Sequence, residues 1–106
     1  AGVISLHTIS IENHRAEIGY WMREQMRGKG IATMATKILT GYGLDTLGFK
    51  RIEAAVDLEN TVSQKLLVSA GYEREGVLRQ RVTRSGGNQI DMVIFAALNQ
   101  SWVRLN

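Results

Sequence analysis

Gly28 and Gly30 stand two residues apart in the run Gln25-Met26-Arg27-Gly28-Lys29-Gly30-Ile31-Ala32, between a strand-like stretch and a helix-like one. The first N–H groups of a helix have no partner within it, and the helix dipole makes that end positive. Glycine carries no Cβ, so an anion can come close to the backbone there. Arg27 and Lys29 add positive charge. The chemistry this pattern points to is the holding of a phosphate-bearing ligand at a strand-to-helix turn. Two other phosphate loops do not fit. A Walker loop needs Ser or Thr after Gly-Lys and a glycine upstream, but Lys29 is followed by Gly30 and the upstream glycine is missing. The dinucleotide fingerprint needs a third glycine where Thr33 stands.

The elements that must position this loop are legible from periodicity. Residues 2–9 are rich in β-branched side chains, 11–14 form a polar turn and 15–22 read as a second strand, so 2–22 predicts a hairpin. His7 and His14, the only histidines, fall on that strand and turn, with no partner at a ligand spacing. Ile31, Met34, Ala35, Ile38, Leu39 and Tyr42 share one helical face, which predicts a helix with that stripe in the core. Gly41, Gly43 and Gly48 weaken its last turns and predict an end near 47. In 51–57, Ile52, Ala54 and Val56 alternate with Arg51, Glu53, Ala55 and Asp57, as a strand requires. Strand, helix and strand in that order predict a crossover between parallel strands.

Asn60 then stands where a helix N-cap belongs, able to accept from the N–H of Ser63 or its neighbour. Val62, Leu66, Leu67 and Ala70 give the expected buried stripe, and Gly71 the closing glycine. Residues 72–84 and 89–98 read as a hairpin turning at 85–88, with Gly76 as a candidate bulge. Arg74, Arg79, Arg81 and Arg84 lie on it, either as a solvated face or as a surface that attracts an acidic substrate or the ribosome.

With 106 residues and 44% hydrophobic composition, the chain is one small domain, 1–106, with a single core. It has no cysteine, so disulfides and cysteine chemistry are excluded. No apolar run reaches the eighteen or so residues of a membrane span. The net charge of +3 is mild and not gathered into the basic stripe of a nucleic-acid binder. The expectation is therefore no membrane and no direct nucleic-acid partner.

Gln25-x-x-Gly28-x-Gly30, directly after a strand, resembles the acetyl-CoA loop of the GNAT N-acetyltransferase superfamily. The longer run Ala16-Glu17-Ile18-Gly19-Tyr20-Trp21 through Ile31-Ala32 resembles its RimJ/RimL branch, which acetylates ribosomal-protein N-termini, and relatives acting on other amines. Asn60-x-x-Ser63 through Ala70-Gly71-Tyr72 resembles the second helix of the coenzyme site. The resemblance implies an α/β (α+β) acyl-CoA N-acyltransferase fold, a mixed and mostly antiparallel sheet with two helices. The strand and two helices that open that fold have no counterpart here, so the expectation is an N-terminally truncated domain. A second copy of the chain is one candidate cover for the sheet edge and helix faces this leaves open.

By the same resemblance, acetyl-CoA is the co-substrate and no metal is needed. The acceptor is an amine, a protein or peptide N-terminal α-amino group, with a polyamine as alternative; an acetyl-CoA-binding module without turnover, or an unrelated nucleotide-binding domain, are competing readings. A cytoplasmic location follows from the inferred cofactor and the absence of a visible secretory signal. The residues matching the coenzyme site are Trp21, Met22, Gln25, Arg27, Gly28, Lys29, Gly30, Ile31, Ala32 and Asn60. Backbone N–H near Trp21 and Met22 would polarise the thioester carbonyl. Many relatives place a tyrosine acid where Leu67 stands; Ser63 matches the serine that the RimJ/RimL-like branch offers to the departing sulfur instead, with support of the Asn60 cap as its competing role. Glu17, the carboxylate on the strand leading to the loop, is the candidate base acting through water, with Asp57 and Glu59 as runners-up and structural pairing of Glu17 with a basic strand neighbour as the competing role.

Overall fold

A computed structural model describes residues 3–21 and 30–102. Within them run β1 Val3–Ser10, β2 Arg15–Trp21, α1 Ile31–Gly41, β3 Arg51–Asp57, α2 Thr61–Ser69, β4 Glu73–Thr83 and β5 Gln89–Leu98. The strands form one sheet in the order β1-β2-β3-β5-β4. Only the β2–β3 pair is parallel, with α1 in the crossover; the other pairs are antiparallel. This is the mixed, mostly antiparallel sheet with two helices that the sequence predicts.

Both helices pack on one face of the sheet. Ile18, Ile52, Ala54, Val93, Phe95 and Ala97 project from the strands into a core shared with Leu44, Leu67, Ala70, Tyr72 and Trp102. The alternation predicted for β3 holds, with Ile52 and Ala54 buried.

The predicted face of α1 is corrected. Ile31, Met34, Ile38 and Tyr42 are 45–60% exposed, and the face on the sheet side is Ala32, Thr36 and Thr40, each 9% exposed or less. Small residues four apart let the helix axis come close to the strands, and the hydroxyls are satisfied. Thr36 Oγ1 donates to Ala32 O at 2.7 Å, and Thr40 Oγ1 lies 2.7 Å from Tyr72 Oη. Burial pushes the Tyr72 phenol well above its usual pKa, only partly offset by the Thr40 hydrogen bond, so it stays a neutral hydroxyl. In α2, Leu67 and Ala70 are buried as expected, whereas Val62 is 53% exposed.

Beyond Gly41 the helix continues as a π-helical turn, Tyr42–Thr46, and ends at Leu47, where the sequence predicted. The wider turn brings Gly43 against the sheet: a Cβ there would lie 2.7 Å from Ile52 Cδ1 and 3.0 Å from Leu6 Cδ1. At the other end of α2, Gly71 takes φ 96°. Tyr72 N–H then donates to Leu67 O and Gly71 N–H to Val68 O, the paired closure of a Schellman motif. Trp102 seals this corner, its Nε1 donating to Ala70 O at 3.1 Å and its ring lying over Gly41 and Gly71.

The opposite face of the sheet mixes apolar residues, Ala55, Ile94 and Ala96, with an ion-pair cluster around Arg51. The register of β4 against β5 shifts between Arg74 and Gly76, the bulge expected near Gly76. Glu75, the extra residue, accepts two hydrogen bonds from the Arg51 guanidinium, which also donates to Glu53 at 3.0 Å. Those bonds hold the Glu75 carboxyl below its ordinary value against a smaller desolvation effect.

Gly43→Ala should destabilise the chain by about 1–3 kcal/mol through overpacking, while Gly76→Ala, where an added Cβ meets nothing within 4 Å, should change stability by less than about 0.5 kcal/mol; urea midpoints measure both. A carboxylate whose folded pKa is depressed contributes stability above its unfolded pKa and loses it as pH falls through the folded one. Glu75→Gln should therefore flatten the fall of the urea midpoint from about pH 5 downward and leave its value relative to other variants constant above that.

Candidate functional site

The parallel pairing of β2 with β3 is short: Arg15 with Arg51, Ala16 with Ile52, Glu17 with Glu53. Beyond it, β2 stays on β1 as far as Trp21, and β3 stays on β5 as far as Asp57. Residues 18–21 and 54–57 thus diverge, opening a wedge about 13 Å deep between two parallel strand ends. Among the described residues the β2–β3 pairing does not continue along its walls, which leaves main-chain N–H and C=O groups there for an extended ligand.

Both helices begin at the open end of this wedge, since α1 follows β2 in the chain and α2 follows β3. Ligands in open α/β sheets lie at the carboxyl ends of parallel strands, where helix N-termini add positive potential. Gly30 caps α1 at φ 74°, and no side chain among the described residues caps that terminus. Of the residues matched to the coenzyme, Trp21 closes β2, Gly30 and Ile31 are exposed, and Ala32 is packed against the core, so it can offer only main-chain groups. Met22, Gln25, Arg27, Gly28 and Lys29 lie outside the described residues.

At the second terminus Asn60 is the N-cap, its Oδ1 accepting from Ser63 N–H at 3.0 Å, as the sequence predicts. Its Nδ2 remains as a donor. Gln64 Nε2 donates to Leu58 O at 2.8 Å and so ties α2 to the end of β3. Ser63 is half-buried in the first turn, and among the described residues its hydroxyl has no hydrogen-bond partner.

Glu17 sits at the closed point of the wedge, half-buried, on the sheet face away from the helices. Its cross-strand neighbours are His7 and Glu53. The pairing with basic strand residues goes to Glu53, which contacts Arg51 at 3.0 Å and Arg15 at 4.0 Å; among the described residues Glu17 has no ion pair. Asp57 is committed elsewhere, to Arg84 at 3.0 Å and to the Glu59 N–H at 2.9 Å. Glu17 and Ser63 therefore flank the wedge from opposite faces of the sheet.

Two features went unseen in the sequence. His7 lies over Gly19, where a Cβ would be 2.6 Å from its Nε2, so the only strand histidine stands beside the wedge. The strand β4 also kinks between Leu78 and Val82, with Gln80 at φ 51°, and this opens a groove of about 730 Å³ lined by Val77, Leu78, Arg79, Gln80, Arg81 and Asp91. Neither a cross-strand overlap nor a second bulge leaves a local sequence signal, since Gln80 is not a residue type that marks positive φ.

Comparison with known proteins adds to this geometry. A family model described as "Acetyltransferase (GNAT) domain" matches residues 1–73. An uncharacterized N-acetyltransferase p20 of Bacillus licheniformis is 41% identical over 95% of this chain and 56% of its own length. The putative ribosomal N-acetyltransferase YdaF of Bacillus subtilis is 33% identical over 95% of this chain and 55% of its own. A spermidine N(1)-acetyltransferase of Escherichia coli is 32% identical over 90% and 52%. The chain thus spans about half the length of the curated relatives it matches. The structure of Mycobacterium smegmatis RimJ in complex with CoA-disulfide superposes with a TM-score of 0.86 at 29% identity, over 93% of this chain and 47% of that one. Parted parallel strands, two helices starting at their open end, and a family match over more than half the sequence agree: the chain belongs to the GNAT acetyltransferase family.

Proposed function

We propose that this chain is the acetyl-CoA-binding and reacting part of a cytoplasmic N-acetyltransferase whose acceptor is the N-terminal α-amino group of a protein or peptide. The observation that carries the proposal is the wedge between β2 and β3. An extended pantetheine arm fits such a gap by adding hydrogen bonds to strand edges that lack a partner, and a diphosphate fits the uncapped start of α1. In this reading the main-chain groups of Gly28, Gly30, Ile31 and Ala32, with Gln25, Arg27 and Lys29, take the phosphates. Asn60 Nδ2, which has no hydrogen-bond partner among the described residues, holds the coenzyme while Oδ1 caps α2.

Transfer requires a neutral amine, a polarised carbonyl and a proton for the departing sulfur. A main-chain donor near Trp21 and Met22, aimed at the developing oxyanion, is worth roughly 3 kcal/mol. Glu17, which has no ion pair among the described residues, takes a proton from the incoming ammonium through water. Ser63, on the helix face, gives its hydroxyl proton to the sulfur, and the proton shed by the nitrogen of the tetrahedral intermediate returns to the serine through water. The opposed placement suits direct attack, because the amine adds to one face of the thioester carbonyl and the acid reaches the sulfur of the tetrahedral intermediate from the helix side without crowding it. A small polyamine is the second reading, supported by the spermidine-acetylating relative.

Calorimetry with acetyl-CoA, coenzyme A and ATP tests the binding half: the first two should bind and ATP should not. In an acetylation assay on peptides with free N-termini and on spermidine, Ser63→Ala should lower kcat by about 10- to 100-fold with acetyl-CoA affinity nearly unchanged. Binding of ATP alone would overturn the coenzyme assignment, and unchanged turnover would remove Ser63 as the acid.

A further inference from the structure

We propose that the groove at the kink of β4 is an acceptor-side subsite for an acidic peptide segment, so that the chain prefers a peptide with carboxylates downstream of its N-terminus to a polyamine. The inference rests on the acetyltransferase reading for the word acceptor, but its evidence is separate. Arg79 and Arg81 line the groove on either side of Gln80. The left-handed conformation of Gln80 is held by Asp91, whose Oδ1 accepts the Gln80 N–H at 2.7 Å. One carboxylate oxygen of Asp91 is thereby engaged with the backbone. Among the described residues neither Arg79 nor Arg81 has an ion pair, whereas Arg84 is taken by Asp57 and Arg51 by Glu75 and Glu53. Two arginines with no ion pair among the described residues therefore line a groove that also exposes apolar surface of Val77 and Leu78.

That combination suits a carboxylate on an aliphatic stem. A guanidinium meets a carboxylate through paired N–H donors, and the exposed apolar surface of the lining accepts the methylenes. A polyamine would meet like charge there. A nucleic acid needs a longer basic track than two arginines beside an aspartate. Position adds to this. Asp57, at the open end of the wedge, pairs with Met92, which pairs with Leu78, and Asp91 O accepts the Leu58 N–H at 3.0 Å. The groove thus lies two strands from β3 at the same end of the sheet, about 10 Å away. An extended peptide advances about 3.4 Å per residue, so side chains roughly three to five residues beyond a reacting N-terminus reach it.

The test is fluorescence anisotropy at low salt with the full chain and a ten-residue peptide carrying glutamate at its fourth and fifth positions, against the same peptide with lysine there. The glutamate peptide should bind about 5- to 10-fold more tightly, and R79A/R81A should erase the difference while R79K/R81K keeps part of it. Spermidine should not compete. Both arginines are exposed, and near-UV circular dichroism verifies that the variants remain folded. Equal binding of the two peptides, a preference that survives R79A/R81A, or displacement by a single-stranded RNA of ten nucleotides at lower concentration than by the glutamate peptide would each overturn the proposal. Acetyl-CoA calorimetry on the same proteins keeps the two readings apart: failure there strikes the coenzyme site and leaves the peptide result standing.

Discussion

Each of the two parallel strands is bound more strongly outward than to the other. Seven residue pairs join β3 to β5 but three join it to β2, while β2 follows β1 to its last residue. Adjacent strands twist relative to one another, so two strands that each follow a different outer partner must separate. The wedge is therefore made by backbone pairing, with no side chain required to hold it open. What the side chains do is fix its two ends. At the closed end His14 O accepts the N–H groups of Lys50 and Arg51, locking the first hairpin to the start of β3. At the open end Gln64 and Asn60 set where α2 begins.

The order and type of the elements were legible because each carried a local signal. Alternation marked β3, the cap and closing glycine bounded α2, and glycine-bearing turns separated the last two strands. The orientation of α1 was not legible, because hydrophobicity alone misranks its faces. Ile31, Met34, Ile38 and Tyr42 form the stronger apolar stripe, yet the sheet takes Ala32, Thr36 and Thr40. Close approach of the helix, made possible by small side chains, and hydroxyls satisfied by Ala32 O and Tyr72 outweigh the larger stripe. Of the candidate site, the roles of Asn60 as cap and of Gly30 at the start of α1 follow from their residue types. The placement of Glu17 and Ser63 on opposite faces depends on tertiary structure, as do the commitment of Asp57 to Arg84 and the kink at Gln80.

The family relationship and the acceptor question separate cleanly on this molecule. The wedge and the two helix starts, where the proposed coenzyme site lies, fall within the stretch that the family model matches. The groove with its two arginines lies on β4 and β5, beyond that stretch. Relatives that act on spermidine and on ribosomal proteins can thus share the first set of features and differ in the second.

Trp102 gives the fold an order in time. Its indole bridges the ends of both helices, 32 residues after Ala70, and β3 receives its long partner only when β5 has been made. Contacts that close such large loops are slow to form and come late. On a ribosome delivering residues from the first to the last, the portion that carries the family signature emerges with its middle strand bare on one side and its helices unclasped. The stretch that the family model matches ends at residue 73, whereas the contact that clasps the two helices waits for Trp102, some thirty residues later.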